Sequence, residues 1–109
     1  LSVSSHRGLS LVPVAEVRYL RAERKYVSVV YPGGELLSEE PLKDFEQEFG
    51  ERFLRVHRNA LVAVAHVTGL ERDPEGRHRV VLDGVETRLE VSRRLLPGVR
   101  LRLRQGAGG

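Results

Sequence analysis

Tyr26-Val27-Ser28-Val29-Val30-Tyr31-Pro32-Gly33-Gly34-Glu35-Leu36-Leu37-Ser38 decides the architecture of this chain. Its first six residues are β-branched or aromatic apart from Ser28, a composition that favours an extended strand. Pro32-Gly33-Gly34 turns the chain, and Glu35-Leu36-Leu37-Ser38 returns as the partner strand of a hairpin. The same pattern continues on both sides. Upstream, Leu9-Ser10-Leu11-Val12 predicts a short strand stopped by Pro13, and Val14, Val17, Tyr19 and Leu20 carry the apolar set through a turn into another strand. Downstream, residues 53–56, 66–71, 78–83 and 87–91 predict further strands, with turns at Asp73-Pro74-Glu75-Gly76 and Asp83-Gly84. Arg58-Asn59-Ala60-Leu61-Val62 breaks the alternation and reads as a helical turn. One helix is clear, over about 41–49. Pro41 opens it, Leu42, Phe45 and Phe49 share one face, and Gly50 stands just past its end. Ser92 is a natural N-cap, and Pro97 permits a helical start within a short basic tail. There is neither a βαβ rhythm nor an internal repeat, so the fold class is mostly β.

The 109 residues favour one folded domain, since a second independent core would be hard to fit. Residues 1–8 read as a polar lead or a linker from an upstream domain, 9–104 as the domain, and 105–109 as a flexible tail. No apolar run approaches the roughly 20 residues that span a bilayer. The longest, 60–65, is too short and too central for a signal peptide, so no membrane partner is expected. The absence of cysteine excludes disulfides and thiolate metal sites and fits a cytoplasmic location.

The net charge of +3 is a weak indicator, but its distribution is informative. Residues 38–52 hold six acids against Lys43 and Arg52, a local net of −4, and leave +7 on the remainder. Sixteen arginines stand against two lysines. Arginine's planar fork suits phosphate and guanine, although a GC-rich genome would produce the same bias. The acids lie along the single clear helix, where they suit a solvated face and the helix dipole. Phosphate would repel such a face, so this helix is not expected to enter a DNA groove.

Enzyme chemistry finds no constellation. His6, His57, His66 and His78 form neither an HxxxH pair nor a zinc-finger spacing, so no metal and no cofactor are expected. Gly33-Gly34 is a hairpin turn without a phosphate-loop pattern. His57-Arg58-Asn59 superficially resembles a kinase catalytic loop, but Asn59 stands where that loop needs its aspartate base.

Three strand ends carry basic and polar residues: Glu23-Arg24-Lys25, His57-Arg58-Asn59 and Ser92-Arg93-Arg94. Arginine can bond guanine O6 and N7 in a fork, asparagine can pair with adenine, and serine can hold a phosphate oxygen. Taken singly, each is ordinary loop charge. Together they favour binding of DNA or RNA. RNA is the weaker choice, because the chain has six aromatic residues and most belong to strands or to the helix by pattern. A basic β-domain that binds an acidic protein partner is the alternative from another class.

The motifs resemble the LytTR DNA-binding domain, the output module of LytR/AlgR-type response regulators. The resemblance runs from about Val12 to about Arg104. It rests on Ala15-Glu16-Val17-Arg18-Tyr19-Leu20, Lys25-Tyr26-Val27, Pro41-Leu42-Lys43-Asp44-Phe45-Glu46 and Val91-Ser92-Arg93-Arg94. Its strongest stretch, Phe53-Leu54-Arg55-Val56-His57-Arg58-Asn59-Ala60-Leu61-Val62, looks like the AlgR branch. The resemblance implies an elongated arrangement of small, mainly antiparallel β-sheets with short helices, whose loops read major grooves of double-stranded DNA at repeated sites. It also implies an upstream receiver domain, a homodimer on DNA and no enzymatic activity. Carried over by position, base contacts fall on Arg24, Lys25, His57, Arg58, Asn59 and Arg93. Charge and position add Arg55, Arg79, Ser92 and Arg94 as phosphate contacts. The family often has asparagine where Ala63 stands, and Pro97 falls where many members continue a helix, which implies a shorter or displaced last helix.

Overall fold

The computed structural model describes residues 2–5 and 8–106, the first of them (2–5 and 8–10) by backbone only. Ten strands and two α-helices occur among the described residues. A hairpin of β1 (Ser2–Ser5) and β2 (Gly8–Leu11) comes first. Then follow β3 (Tyr19–Ala22), β4 (Val27–Tyr31), β5 (Gly34–Ser38), α1 (Leu42–Phe49), β6 (Phe53–His57) and β7 (Ala60–Ala63). The chain closes with β8 (Val67–Arg72), β9 (His78–Leu82), β10 (Leu89–Val91) and α2 (Leu96–Gly106). Single 3₁₀ turns at Val14–Glu16 and Val64–His66 lead into β3 and β8.

The sheets explain these assignments. Strands β5-β4-β3-β7-β6 form a central antiparallel sheet, and β10-β9-β8 form a second. One face of the central sheet presents Leu20, Val27, Val29, Phe53, Leu61 and Ala63 to Leu42 and Phe45 of α1. The other presents Tyr19, Val56, Ala60 and Val62 to Val80, Leu82, Leu89 and Val91 of the second sheet and to Val99 of α2. The central sheet therefore lies between α1 on one side and the second sheet with α2 on the other.

The mostly β class and its antiparallel sheets agree with the sequence. So does the hairpin at 26–38, where Tyr31 pairs with Gly34 and Gly33 turns with φ 92°. Several boundaries differ. Arg58-Asn59-Ala60-Leu61-Val62 is not a helical turn: Arg58-Asn59 is a two-residue turn and β7 follows. All four residues of β7 are buried, because both faces of this interior strand are covered, and such a strand loses its alternation. The polar lead contains β1 and most of the expected strand at its end becomes β2, while Leu1, His6 and Arg7 lie outside the described residues. The tail is also reassigned. An eleven-residue helix reaches Gly106, with Pro97 in its first turn and Val99 and Leu103 packed against the second sheet's side of the core, so one clear helix becomes two. Residues 107–109 of the expected tail lie outside the described residues. His66 closes a 3₁₀ turn and does not begin β8, and the last strand narrows to Leu89–Val91.

A polar cluster ties the layers at one end. Arg18, only 9% exposed, donates from Nε to the Asp83 carboxylate at 2.8 Å and from Nη1 to the Glu16 carbonyl at 2.7 Å. His66 Nε2 lies 2.7 Å from the Ala15 carbonyl, and its Nδ1 lies 3.2 Å from Asp83. Burial raises the Asp83 pKa, but hydrogen bonding and charge from His66, then from Arg18, outweigh it and hold the carboxyl below its usual value.

Candidate nucleic-acid interface

The end away from Arg18 and Asp83 gathers the basic loops. Arg21 of β3 pairs with Ala60 of β7, so the exit of one strand and the entry of the other lie side by side. The Ala22 amide donates to the Asn59 carbonyl at 2.8 Å, which joins loop 23–26 to turn 58–59. The Ser92 amide donates to the Val56 carbonyl at 2.9 Å, which joins segment 92–94 to the end of β6. Two backbone bonds thus bring three strand ends, distant in sequence, to one end of the molecule.

Arg24, Lys25, Arg58, Arg93 and Arg94 are exposed there, and none is in an ion pair among the described residues. His57, Arg58, Ser92 and Arg94 surround a hollow of about 290 Å³. Arg21, His57, Asn59 and Glu90 border a second, of about 200 Å³. His57 stands between the two, with Nδ1 buried and without a hydrogen-bond partner among the described residues. An unpaired buried N–H is costlier than an unpaired lone pair, an arrangement that favours Nε2 as the donor of this ring. The Ser92 hydroxyl accepts the Leu95 amide at 3.3 Å and caps the turn that leads into α2.

Eight of the ten residues singled out from the sequence therefore meet at these strand ends. Arg55 and Arg79 reach the same end but are held by carboxylates. Arg55 contacts both Glu46 carboxylate oxygens at 3.0–3.2 Å, and its Nη1 donates to the Arg58 carbonyl. Arg79 lies 3.4 Å from Asp73.

Three contributors were not anticipated. Arg21 looks like an ordinary strand residue, yet it packs over Tyr19 at 5.5 Å and borders the second hollow. Glu46 belongs to the acidic helix read as solvated, but it is half-buried and bonds Arg55 across nine residues, a spacing with no local signature. Turn 73–77 also reaches this end, because His78 pairs with Val91 next to Ser92. Asp73 Oδ1 accepts the Glu75 and Arg77 amides, both at 2.9 Å. The Arg77 amide, with help from Arg79 and the Glu75 amide, holds the Asp73 carboxyl below its usual pKa against the opposing effect of desolvation. Among the described residues no group of three His, Cys, Asp or Glu could hold a metal ion, and no helix is long and apolar enough to cross a membrane.

The family model of the LytTr DNA-binding domain matches residues 7–104. The positive alginate biosynthesis regulatory protein of Pseudomonas aeruginosa is 44% identical over 106 residues, which are 96% of this chain. The chain spans 43% of that relative's length. A solved LytTr DNA-binding domain from Bacillus cereus superposes with a TM-score of 0.80 at 26% identity, covering 94% of each chain.

Proposed function

The chain belongs to the LytTr DNA-binding domain family, and from that membership we propose that it binds double-stranded DNA sequence-specifically, as the output domain of a two-component transcriptional regulator. The observation that carries the proposal is the convergence of loop 23–26, turn 58–59 and segment 92–94 through the Ala22–Asn59 and Ser92–Val56 hydrogen bonds. Unpaired guanidinium groups displace counterions from phosphates and supply affinity. Base edges in the major groove are read by Arg24, Lys25, His57, Arg58, Asn59 and Arg93, with His57 donating from Nε2. Ser92 and Arg94 hold phosphates beside it. Arg55 and Arg79, also placed on phosphates by the sequence, are better suited to bracing, the first for turn 58–59 and the second for turn 73–77. An upstream receiver domain, two copies paired on repeated sites, a cytoplasmic location and the absence of catalysis complete the proposal.

Selection from a pool of random duplex DNA at two salt concentrations tests it. Enrichment of one motif at both concentrations, with affinity falling as salt rises, is the expected result. Recovery of unenriched DNA at both would contradict it.

A further inference from the structure

Val64, the N-terminal part of β8 and one side of α2 border an open cleft of about 420 Å³. Its floor is Val64, Val67, Leu70 and Leu103, each only half-buried. Its rim is Arg100 and Arg104, both exposed. The position follows from the strand register. β8 starts at Val67 opposite Leu82 and reaches the reading end only at Arg72, opposite His78, whereas the cleft is lined by the earlier residues. No residue of loop 23–26, turn 58–59 or segment 92–94 lines it.

The two arginines are one helical turn apart, so their side chains share a side of α2. Neither is in an ion pair among the described residues. Arg100 Nη2 lies 3.1 Å from His78 Nε2, and Arg104 Nε donates to the Arg100 carbonyl at 3.4 Å, so neither guanidinium is directed by a carboxylate. An apolar floor beneath two such guanidinium groups complements a molecule with an apolar body and an anionic head. The body removes the valine and leucine surface from water, and the head accepts charge-assisted bonds that a planar fork delivers well. The volume falls within the roughly 300–1,000 Å³ of small-ligand sites. Gly69 also borders the cleft, and a Cβ placed there would meet no atom within 4 Å.

We propose that this cleft is a binding site for a small amphipathic carboxylate, its chain on Val64, Val67, Leu70 and Leu103 and its head between Arg100 and Arg104. None of the three proposed reading loops lines the cleft, so both sites can be filled at once, with Arg100 and His78 in contact between them.

Titration of the folded chain with decanoate below its micelle concentration, followed by amide NMR, tests the site. Saturable shifts confined to amides 64–70 and 100–104 are expected, with decanol and decylammonium at least tenfold weaker. Arg100→Gln/Arg104→Gln should weaken decanoate at least tenfold, and thermal unfolding checks that the variant keeps its fold. Gly69→Leu, which adds bulk without changing charge, should also reduce binding. Equal binding of decanoate and decylammonium, an unaffected double variant or the absence of saturable shifts would each overturn the proposal. Shifts at 23–26, 57–59 and 92–94 alone would overturn it too, by showing the carboxylate bound at the reading loops. Concentration-dependent shifts of the cleft amides without decanoate would assign the cleft to a second copy of the chain.

Discussion

Arg93 and Glu46 carry opposite charges, and the proposed DNA reading gives them opposite roles. Arg93 is exposed and without an ion pair among the described residues, so it is free to fork a base. Arg93→Ala should lower affinity for the selected duplex by about 1–3 kcal/mol and change little on a scrambled one. Fluorescence anisotropy on both duplexes checks this, and equal losses would move Arg93 to a phosphate. Glu46 repels phosphate, yet it holds Arg55, and Arg55 holds the Arg58 carbonyl in the reading turn. Glu46→Ala should therefore weaken specific binding by about 1 kcal/mol, whereas Glu48→Ala on the same helix should leave it unchanged. A gain in affinity on removing Glu46 would show that its charge matters more than its bracing.

The element that joins both halves of the core is β7. Leu61 faces α1 while Val62 faces the second sheet, and neither is exposed. Leu61→Ala should cost about 2–5 kcal/mol of stability, measured by urea unfolding. At the β9–β10 turn, Gly84 has φ 77°, and a Cβ there would lie 2.9 Å from the Pro32 ring and 3.1 Å from Arg18 Nε. Gly84→Ala should cost about 1–3 kcal/mol for the backbone strain alone, a result that the same unfolding experiment checks. These two elements also show what the sequence could convey. The 26–38 hairpin was legible because its β-branched run and its Pro-Gly turn are local signals. β7 was not, because two-sided burial erases the alternation that marks a strand, and the burial comes from residues as distant as Phe45 and Val80. β1 hid in a polar stretch, and Pro97, which is compatible with a first turn, disclosed the start of α2 but not its length.

The whole molecule is polarised. Basic loops occupy one end, and the Arg18–Asp83–His66 cluster ties the layers at the other. The basic residues at the proposed reading end were legible in the sequence as motifs, but their convergence depends on two backbone bonds between strands. The distal cluster was not legible, because Arg18 and Asp83 are 65 residues apart. It makes stability depend on pH. The Asp83 pKa is lowered by folding, so its pairing stabilises the fold above the unfolded value of about 4 and is lost as pH falls through the folded value. Asp83→Asn should be about 1 kcal/mol less stable than the parent near neutrality, with thermal unfolding showing the gap close in acid; a constant gap would remove Asp83 from the acid response. The central claim is that one end reads duplex DNA. Amide shift mapping with a selected duplex tests it most directly. The largest shifts should fall on 23–26, 57–60 and 91–94, with the outer face of α1 silent. Shifts centred on α1, or spread evenly over both ends, would contradict it.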